Sequence, residues 1–397
     1  MVVTKQWRQQ ALAWSVFLTF GLLSTLSSPF PIRSFLGHGI TADGWLYWFL
    51  LSGFTLTNSL VLQHYHKLFY WQIRGILVGI TLIALSAYPQ LIDWKIDYTI
   101  HSGQLWPETS HVLATAVYRN HQPISLYSHK GIAGFTLALG AVLGLVALRK
   151  ELLAPIVALV LTALYAVTLS LMQVRGAMLA MLAGWLWIVV TVPYSKRIKR
   201  TLIILSVIGV ISFGWATAER RITNAELYAS TPLEAALKHF TSDRVYLWQK
   251  SWRGFIERPW VGWGFSGYSI VYADRACPKG TSLTELGDYE AFCQRSTGER
   301  LMIPTGSTKA HNLFVDEFLS LGILGANSYF ALLVVYARKS PQRNGISVPL
   351  FVVYLVYTLT WFDCGQISHL GWWALSGQIE GSIMPELTRV SHYKTKR

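Results

Sequence analysis

The sequence predicts an all-α protein: a polytopic transmembrane helical bundle of 10–12 spans with one large outer loop containing amphipathic helices. Three observations lead there. Apolar residues make up 52% of the 397 and charged residues only 14%, against roughly 25% in a soluble domain. Ten apolar runs approach the length of about 20 residues that a membrane helix needs. The basic residues of the short connections fall on one side when the runs alternate across a bilayer.

The runs lie at 11–27, 44–63, 72–88, 131–148, 152–172, 177–193, 201–217, 312–336, 346–363 and 366–384. The backbone must satisfy itself in lipid, so each is read as a helix. Segments 28–43 and 89–130 leave room for short or re-entrant helices, which keeps the count between ten and twelve. Lys5 and Arg8, Arg149 and Lys150, Lys196 to Arg200, Arg338 to Arg343, and Lys394 to Arg397 all face the same side, which the charge rule makes cytoplasmic. Both termini then lie in the cytoplasm. The first run lacks a small-residue cleavage site and reads as a signal anchor. The chain divides into transmembrane helices over 1–217, a large outer loop over 218–310, and transmembrane helices with a basic tail over 311–397.

The net charge of +14 does not point to nucleic acid, because the cations mark topology instead of forming a stripe on a folded face. In the outer loop, 12 Lys and Arg are nearly balanced by ten acidic residues. Segment 226–240 reads as an amphipathic helix, and segment 242–258 as a second with Val245, Trp248 and Trp252 on one face. Pro259 ends it. Cys277 and Cys293 are either a disulfide of the outer side or two free thiols. Cys364 reads as a small packing residue.

Three residues stand out as chemistry. Arg175 lies where an apolar run reaches the outer face, beside Gly176. A charge at that depth is costly and marks either function or a snorkelling helix end. Arg244 opens the second amphipathic helix. His311 is the last polar position before the eighth run, where an imidazole could serve as a general base. Asp316 and Glu317 start that run and could orient His311 or its helix. Asp363 ends another run and is expected to face water. Several motifs carry less. GWGFSG (262–267) has the letters of a dinucleotide loop without a preceding strand, so it reads as a turn after Pro259. His101, His111, His121 and His129 recur at a spacing unsuited to a metal. No acidic pair suited to a divalent cation opens a helix on the outer side. Charge on a leaving group then falls to arginine, whose planar fork suits phosphate oxygens. A transporter is disfavoured, because the runs carry almost no midplane charge and the outer loop breaks any symmetry of paired halves.

Taken in order, three blocks resemble the O-antigen ligase family, which shares a core with O-antigen polymerases and protein-glycan ligases. They are QVRGAMLAMLAG (173–184), RVYLW (244–248) followed by PWVGWGFSGY (259–268), and HNLFVDEFLSLGILG (311–325). The resemblance spans roughly 150–336; such ligases usually have twelve spans. It implies a Gram-negative inner-membrane glycosyltransferase with its site on the periplasmic face. The donor it implies is a glycan on undecaprenyl pyrophosphate, and the acceptor a sugar hydroxyl of lipid A–core. It implies inversion at the anomeric carbon without metal, nucleotide or other cofactor. Arg175 and Arg244 would clamp the pyrophosphate, and His311 would take or position the acceptor proton.

Overall fold

The structure is a computed structural model. It describes residues 4–39, 41–91, 123–127, 129–191, 203–204, 206–211, 213–215, 231, 241, 244–305, 308–338 and 347–377. The expected helix at 226–240 apart from Thr231, the re-entrant possibility within 92–122, three of the four spaced histidines and the basic tail lie outside these residues.

The chain forms α1 (Lys5–Ser27), α2 (Pro31–Leu36), α3 (Trp45–His64), α4 (His66–Gln90), α5 (Lys130–Arg149), α6 (Pro155–Met172) and α7 (Arg175–Thr191) before the long loop. The loop carries α8 (Arg244–Glu257), α9 (Gly267–Ala276) and strands β1 (Thr281–Leu286), β2 (Glu290–Arg295) and β3 (Arg300–Pro304). Then follow α10 (Leu313–Arg338), α11 (Ser347–Thr360) and α12 (Gly365–Ser376). The ten apolar runs are helical over most of their described residues. Among the described residues, six helices are long and apolar enough to cross a membrane, and 175–191, 206–215 and 347–360 are shorter apolar helices. The architecture is that of a multi-pass membrane protein.

Helix α5 is the axis of the bundle. Every residue from Gly131 to Leu148 is buried. Its small residues permit this: a Cβ on Gly144 would stand 2.4 Å from the Thr162 hydroxyl of α6. Small side chains let membrane helices approach until their backbones pack, which replaces the hydrophobic drive missing in lipid. Helices α4, α6, α7 and α11 pack around it. A second core joins α1, α3, α10 and α12 through aromatic rings. Trp14 lies 4.6 Å from Trp372 between ring centroids and donates its indole N–H to Tyr336 at 3.1 Å. Helices from before and after the loop thus interleave in one bundle.

The all-α expectation needs correction. The loop contains a three-stranded antiparallel sheet in the order β1-β2-β3. Phe292 pairs with Met302 and Ala291 with Ile303, and a register shift interrupts β1 between Leu283 and Glu285. The strands are short, and only the alternating Ala291 and Cys293 of β2 are fully buried. So brief an alternation is weak beside the helical periods around it. The two cysteines form the disulfide, which ties the end of α9 to β2.

Helix α10 is broken. Gly322 has φ 63° and ψ −170°, so the helical ladder stops there. The turn 259–264 lies against the break. Ile323 N donates to Pro259 O (2.8 Å) and Leu324 N to Trp260 O (3.3 Å), while Trp263 N and Gly264 N donate to Leu319 O (3.1 Å) and Ser320 O (2.8 Å). Ser24 of α1 adds a hydroxyl to Ser320 O at 2.9 Å. Backbone groups freed by the break are thereby satisfied, as an apolar setting demands. A Cβ on Gly322 would stand 2.4 Å from the Trp260 carbonyl carbon, and one on Gly262 at 2.4 Å from Ser320 O. The glycines of the second and third sequence blocks are there because two backbones cross.

Candidate functional site

The site forms where helix ends gather at one end of the bundle. Its hub is the link 361–364 between α11 and α12, together with the last turn of α11. The N-termini of α5, α7 and α10 all meet this hub. At α5, a Cβ on Gly131 would stand 2.8 Å from Trp361, and Tyr357 donates to Gly131 O at 2.7 Å. At α7, Gly176 brings the backbone so close that a Cβ would stand 2.6 Å from the Thr360 hydroxyl. At α10, Asn312 donates to Leu359 O at 2.9 Å and caps Val315 N at 3.2 Å. A helix N-terminus carries about half a positive charge from its aligned peptides. Three of them facing one link make the region attractive to anions before any side chain is counted.

The three residues singled out by sequence surround this link. Arg244, the first residue of α8, donates through Nη1 to Thr360 O, and its guanidinium carbon lies 5.5 Å from the Trp361 ring centroid. The imidazole of His311 meets the Trp361 ring edge-on at 4.6 Å and Phe362 at 5.0 Å. Arg175 is the first residue of α7 and immediately precedes Gly176. The structure therefore joins Arg244 and His311 through one indole, and brings Arg175 to the same link through its backbone neighbour. His311 Nδ1 is buried without a hydrogen-bond partner among the described residues. Nε2 is thus the ring nitrogen suited to reach a substrate. Burial, then Arg244, His129 and Lys309, lower the His311 pKa to about 3. Its imidazole is neutral near pH 7 and able to accept a proton.

His311 has φ 58°, an uncommon value for a residue with a Cβ, and both flanks are fastened. On one flank, Lys309 pairs with Asp43 at 2.5 Å, both of them buried. Burial alone would favour their neutral forms. The mutual attraction outweighs it, so the carboxyl of Asp43 is held below its usual range and the Lys309 ammonium above its own. Asp43 also accepts from Ser266 (2.6 Å), Thr41 (2.8 Å) and His38 N (3.1 Å). Next to His311, Ala310 N donates to Asp316 at 2.8 Å and Ala310 O accepts from the Trp248 indole at 3.0 Å. Asp316 does bear on the loop that positions His311, as its place in the sequence suggested.

The sheet buttresses this arrangement from outside. Asp288, in the β1–β2 turn, pairs with Arg33 of α2 and accepts from Gly39 N at 3.2 Å. His38 Nε2 lies 3.0 Å from the Asp288 carbonyl oxygen. The sheet thus holds the α2–α3 connection, which carries Asp43.

Two expectations need correction. Asp363 does not face water. It is 4% exposed and accepts from Tyr354 at 2.5 Å and Tyr329 at 3.3 Å, because the link folds back over the bundle. Helix α8 exists as read, but Trp252 is 62% exposed and does not share a packing face with Trp248. The inner face of α8 runs through Ser251 and Gly254, and a Cβ on Gly254 would stand 2.8 Å from Leu319.

Sequence reading missed Thr360, Trp361, Phe362 and His129 as neighbours of the site. His129 was set aside with the other spaced histidines, yet its ring lies 5.2 Å from Trp361. Its signal was local: a polar side chain immediately before a long apolar run is a helix-cap position. Trp361 and Phe362 stood at the end of an apolar run, where aromatic residues are ordinary. Among the described residues no group of three or more His, Cys, Asp or Glu is arranged to hold a metal ion.

Residues 160–330 match the model of the family described as O-Antigen ligase, which bears out the resemblance over that stretch. The matched stretch contains Arg175, Arg244 and His311, whereas His129, Asp43 and the 360–362 link lie outside it. No curated protein matches the chain.

Proposed function

We propose, from the match of residues 160–330 to the model of the family described as O-Antigen ligase, that the protein transfers a glycan from undecaprenyl pyrophosphate to a sugar hydroxyl of lipid A–core. The reaction takes place at the periplasmic face of the inner membrane of a Gram-negative cell. The observation that carries the reading is the meeting of three helix N-termini with Arg244 at the Thr360–Trp361 link, where Gly176, the neighbour of Arg175, packs on Thr360. Such a place suits an oxygen-rich anion held at a membrane surface.

In this mechanism, the acceptor oxygen attacks the anomeric carbon from the face opposite the pyrophosphate. The new carbon–oxygen bond forms as the old one breaks, the bonding electron pair leaves with the pyrophosphate oxygen, and the anomeric centre inverts. His311 Nε2 takes the acceptor proton and later passes it to solvent or to the departing phosphate. Arg175 and Arg244 neutralise the charge that grows on the leaving group. One such preorganised donor is typically worth about 3–4 kcal/mol. Burial is the main cause of the lowered basicity of His311 and Arg244 the next; a bound pyrophosphate would neutralise Arg244 and so offset part of that loss. The reaction needs no divalent metal in this scheme, since arginines and helix ends supply the positive charge.

The test is reconstitution of the purified protein with lipid-linked donor and purified lipid A–core, with and without a chelator. Ligated product is expected, unchanged by the chelator and abolished in His311→Ala, Arg175→Ala and Arg244→Ala. Chelator-sensitive transfer restored by Mg²⁺ would overturn the metal-free step. Extension of one lipid-linked glycan by another, without transfer to core, would assign a polymerase instead. Transfer to a polypeptide would assign a protein-glycan ligase.

A further inference from the structure

His129 stands immediately before α5, at the same indole as His311 and Arg244. Its Nδ1 accepts the backbone N–H of Gly131 at 2.9 Å, which makes it the N-cap of that helix. A ring nitrogen that accepts a hydrogen bond carries no proton, so in the neutral ring the proton sits on Nε2. Cap and tautomer are thus set by one contact. The ring lies at 33° to the Trp361 plane with centroids 5.2 Å apart, and it is partly open to solvent. The next residues, Lys130 and Gly131, begin α5 and add its positive end to the same place.

We propose that His129 is a third donor residue for the pyrophosphate, offering Nε2–H to a phosphate oxygen beside the Trp361 ring. This rests on the reading above that a lipid pyrophosphate occupies the link region. Burial, then the Lys130 ammonium, lower the His129 pKa to about 4, so the ring is neutral and keeps this tautomer near pH 7. A neutral donor adds a directed hydrogen bond without a full charge beside His311, whose basicity burial and Arg244 already depress and which a protonated His129 would depress further. The division of labour follows: the arginines supply charge, and His129 supplies direction.

The cap and the proposed contact can be separated by substitution. Serine at an N-cap still accepts from the helix N–H groups, but has no donor at the reach of Nε2. Glutamine places an amide N–H near that reach and caps less well. Full-length protein in nanodiscs would be assayed for transfer and for inhibition by farnesyl pyrophosphate. His129→Ser is expected to melt close to wild type while losing about 10- to 100-fold in kcat/KM, the range for one hydrogen bond to a charged group. Inhibition by farnesyl pyrophosphate should weaken in step, and His129→Gln should recover part of both losses. Wild-type inhibition and turnover in His129→Ser would reduce His129 to a cap and overturn the proposal. If His129→Ser unfolds, no recovery of farnesyl pyrophosphate inhibition in a folded His129→Gln would overturn it equally. Arg244→Ala serves as the reference. If it weakens farnesyl pyrophosphate while His129→Ser does not, only the role of His129 fails. If Arg244→Ala leaves farnesyl pyrophosphate untouched, the pyrophosphate reading of the site fails.

Discussion

Replacing Arg244 by lysine keeps the charge and changes the geometry. Arg244 donates through Nη1 to the Thr360 carbonyl while its guanidinium lies 5.5 Å from the Trp361 ring centroid. A planar fork can hold that carbonyl along one edge and present parallel N–H groups on another. A lysine ammonium that reaches Thr360 has no second planar edge to offer a phosphate. The loss is one to two hydrogen bonds to a charged group, at about 1.5–3 kcal/mol each before partial compensation. Arg244→Lys should therefore cost about 2–4 kcal/mol in transition-state stabilisation, or about 30- to 1,000-fold in kcat/KM. The assay is initial-rate transfer in proteoliposomes with the donor varied, beside a melting curve of each purified variant. Activity within about threefold of wild type, at unchanged melting temperature, would refute a fork-dependent role for Arg244.

Lys309→Met leaves Asp43 buried without its partner, which typically costs about 3–5 kcal/mol; thermal unfolding in detergent should show it, and wild-type melting would contradict the pair's importance. Gly322→Ala forces a Cβ against the Trp260 backbone at a φ and ψ that only glycine adopts readily. Strain of about 1–3 kcal/mol and overpacking of similar size should together halve the yield of folded protein or worse, read by gel filtration of detergent extracts. Stability should also fall with pH. His311 and His129 have folded pKa values of about 3 and about 4, below their ordinary 6.5. The unfolded chain therefore binds more protons between these limits, and stability drops as pH decreases from about 6.5 towards 4. The slope is at most about 1.4 kcal/mol per pH unit for each group. His311→Gln should flatten the melting-temperature profile over that window, and an unaltered profile would mean that burial does not hold the ring neutral.

The helices were legible because lipid imposes a simple rule. A run such as 131–148 must be helical, although how closely its small residues let neighbouring helices pack emerged only from the fold. Arg175, Arg244 and His311 were legible because a polar group beside an apolar run is conspicuous. Their common neighbour was not. Trp361 resembles any interfacial tryptophan, and only the fold brings α5, α8 and α10 to its ring. The Asp43–Lys309 pair was hidden for a related reason: its members lie far apart in sequence, and each alone resembles a solvated loop charge. The sheet escaped because two- and three-residue alternations such as Ala291–Phe292–Cys293 mean little without their partners. Its disulfide was half legible, since spacing allowed a bridge and only geometry could place the two Cα atoms 5.7 Å apart.

The break at Gly322 divides α10 into two members with different mechanical allegiances. The first member, 313–321, is fastened to the turn 259–264 and to α1 by hydrogen bonds. The second member, 323–338, begins its ladder anew from the carbonyls of Pro259 and Trp260. A continuous helix would act as a rigid rod, carrying every tilt of its lipid-embedded part to its tip. Membrane helices do tilt as hydrocarbon thickness changes. Here the rod has a joint, and the joint is clamped from the side by the loop. His311 therefore takes its bearings from the loop that clamps the joint, and the span 323–338 can accommodate the bilayer without steering the imidazole.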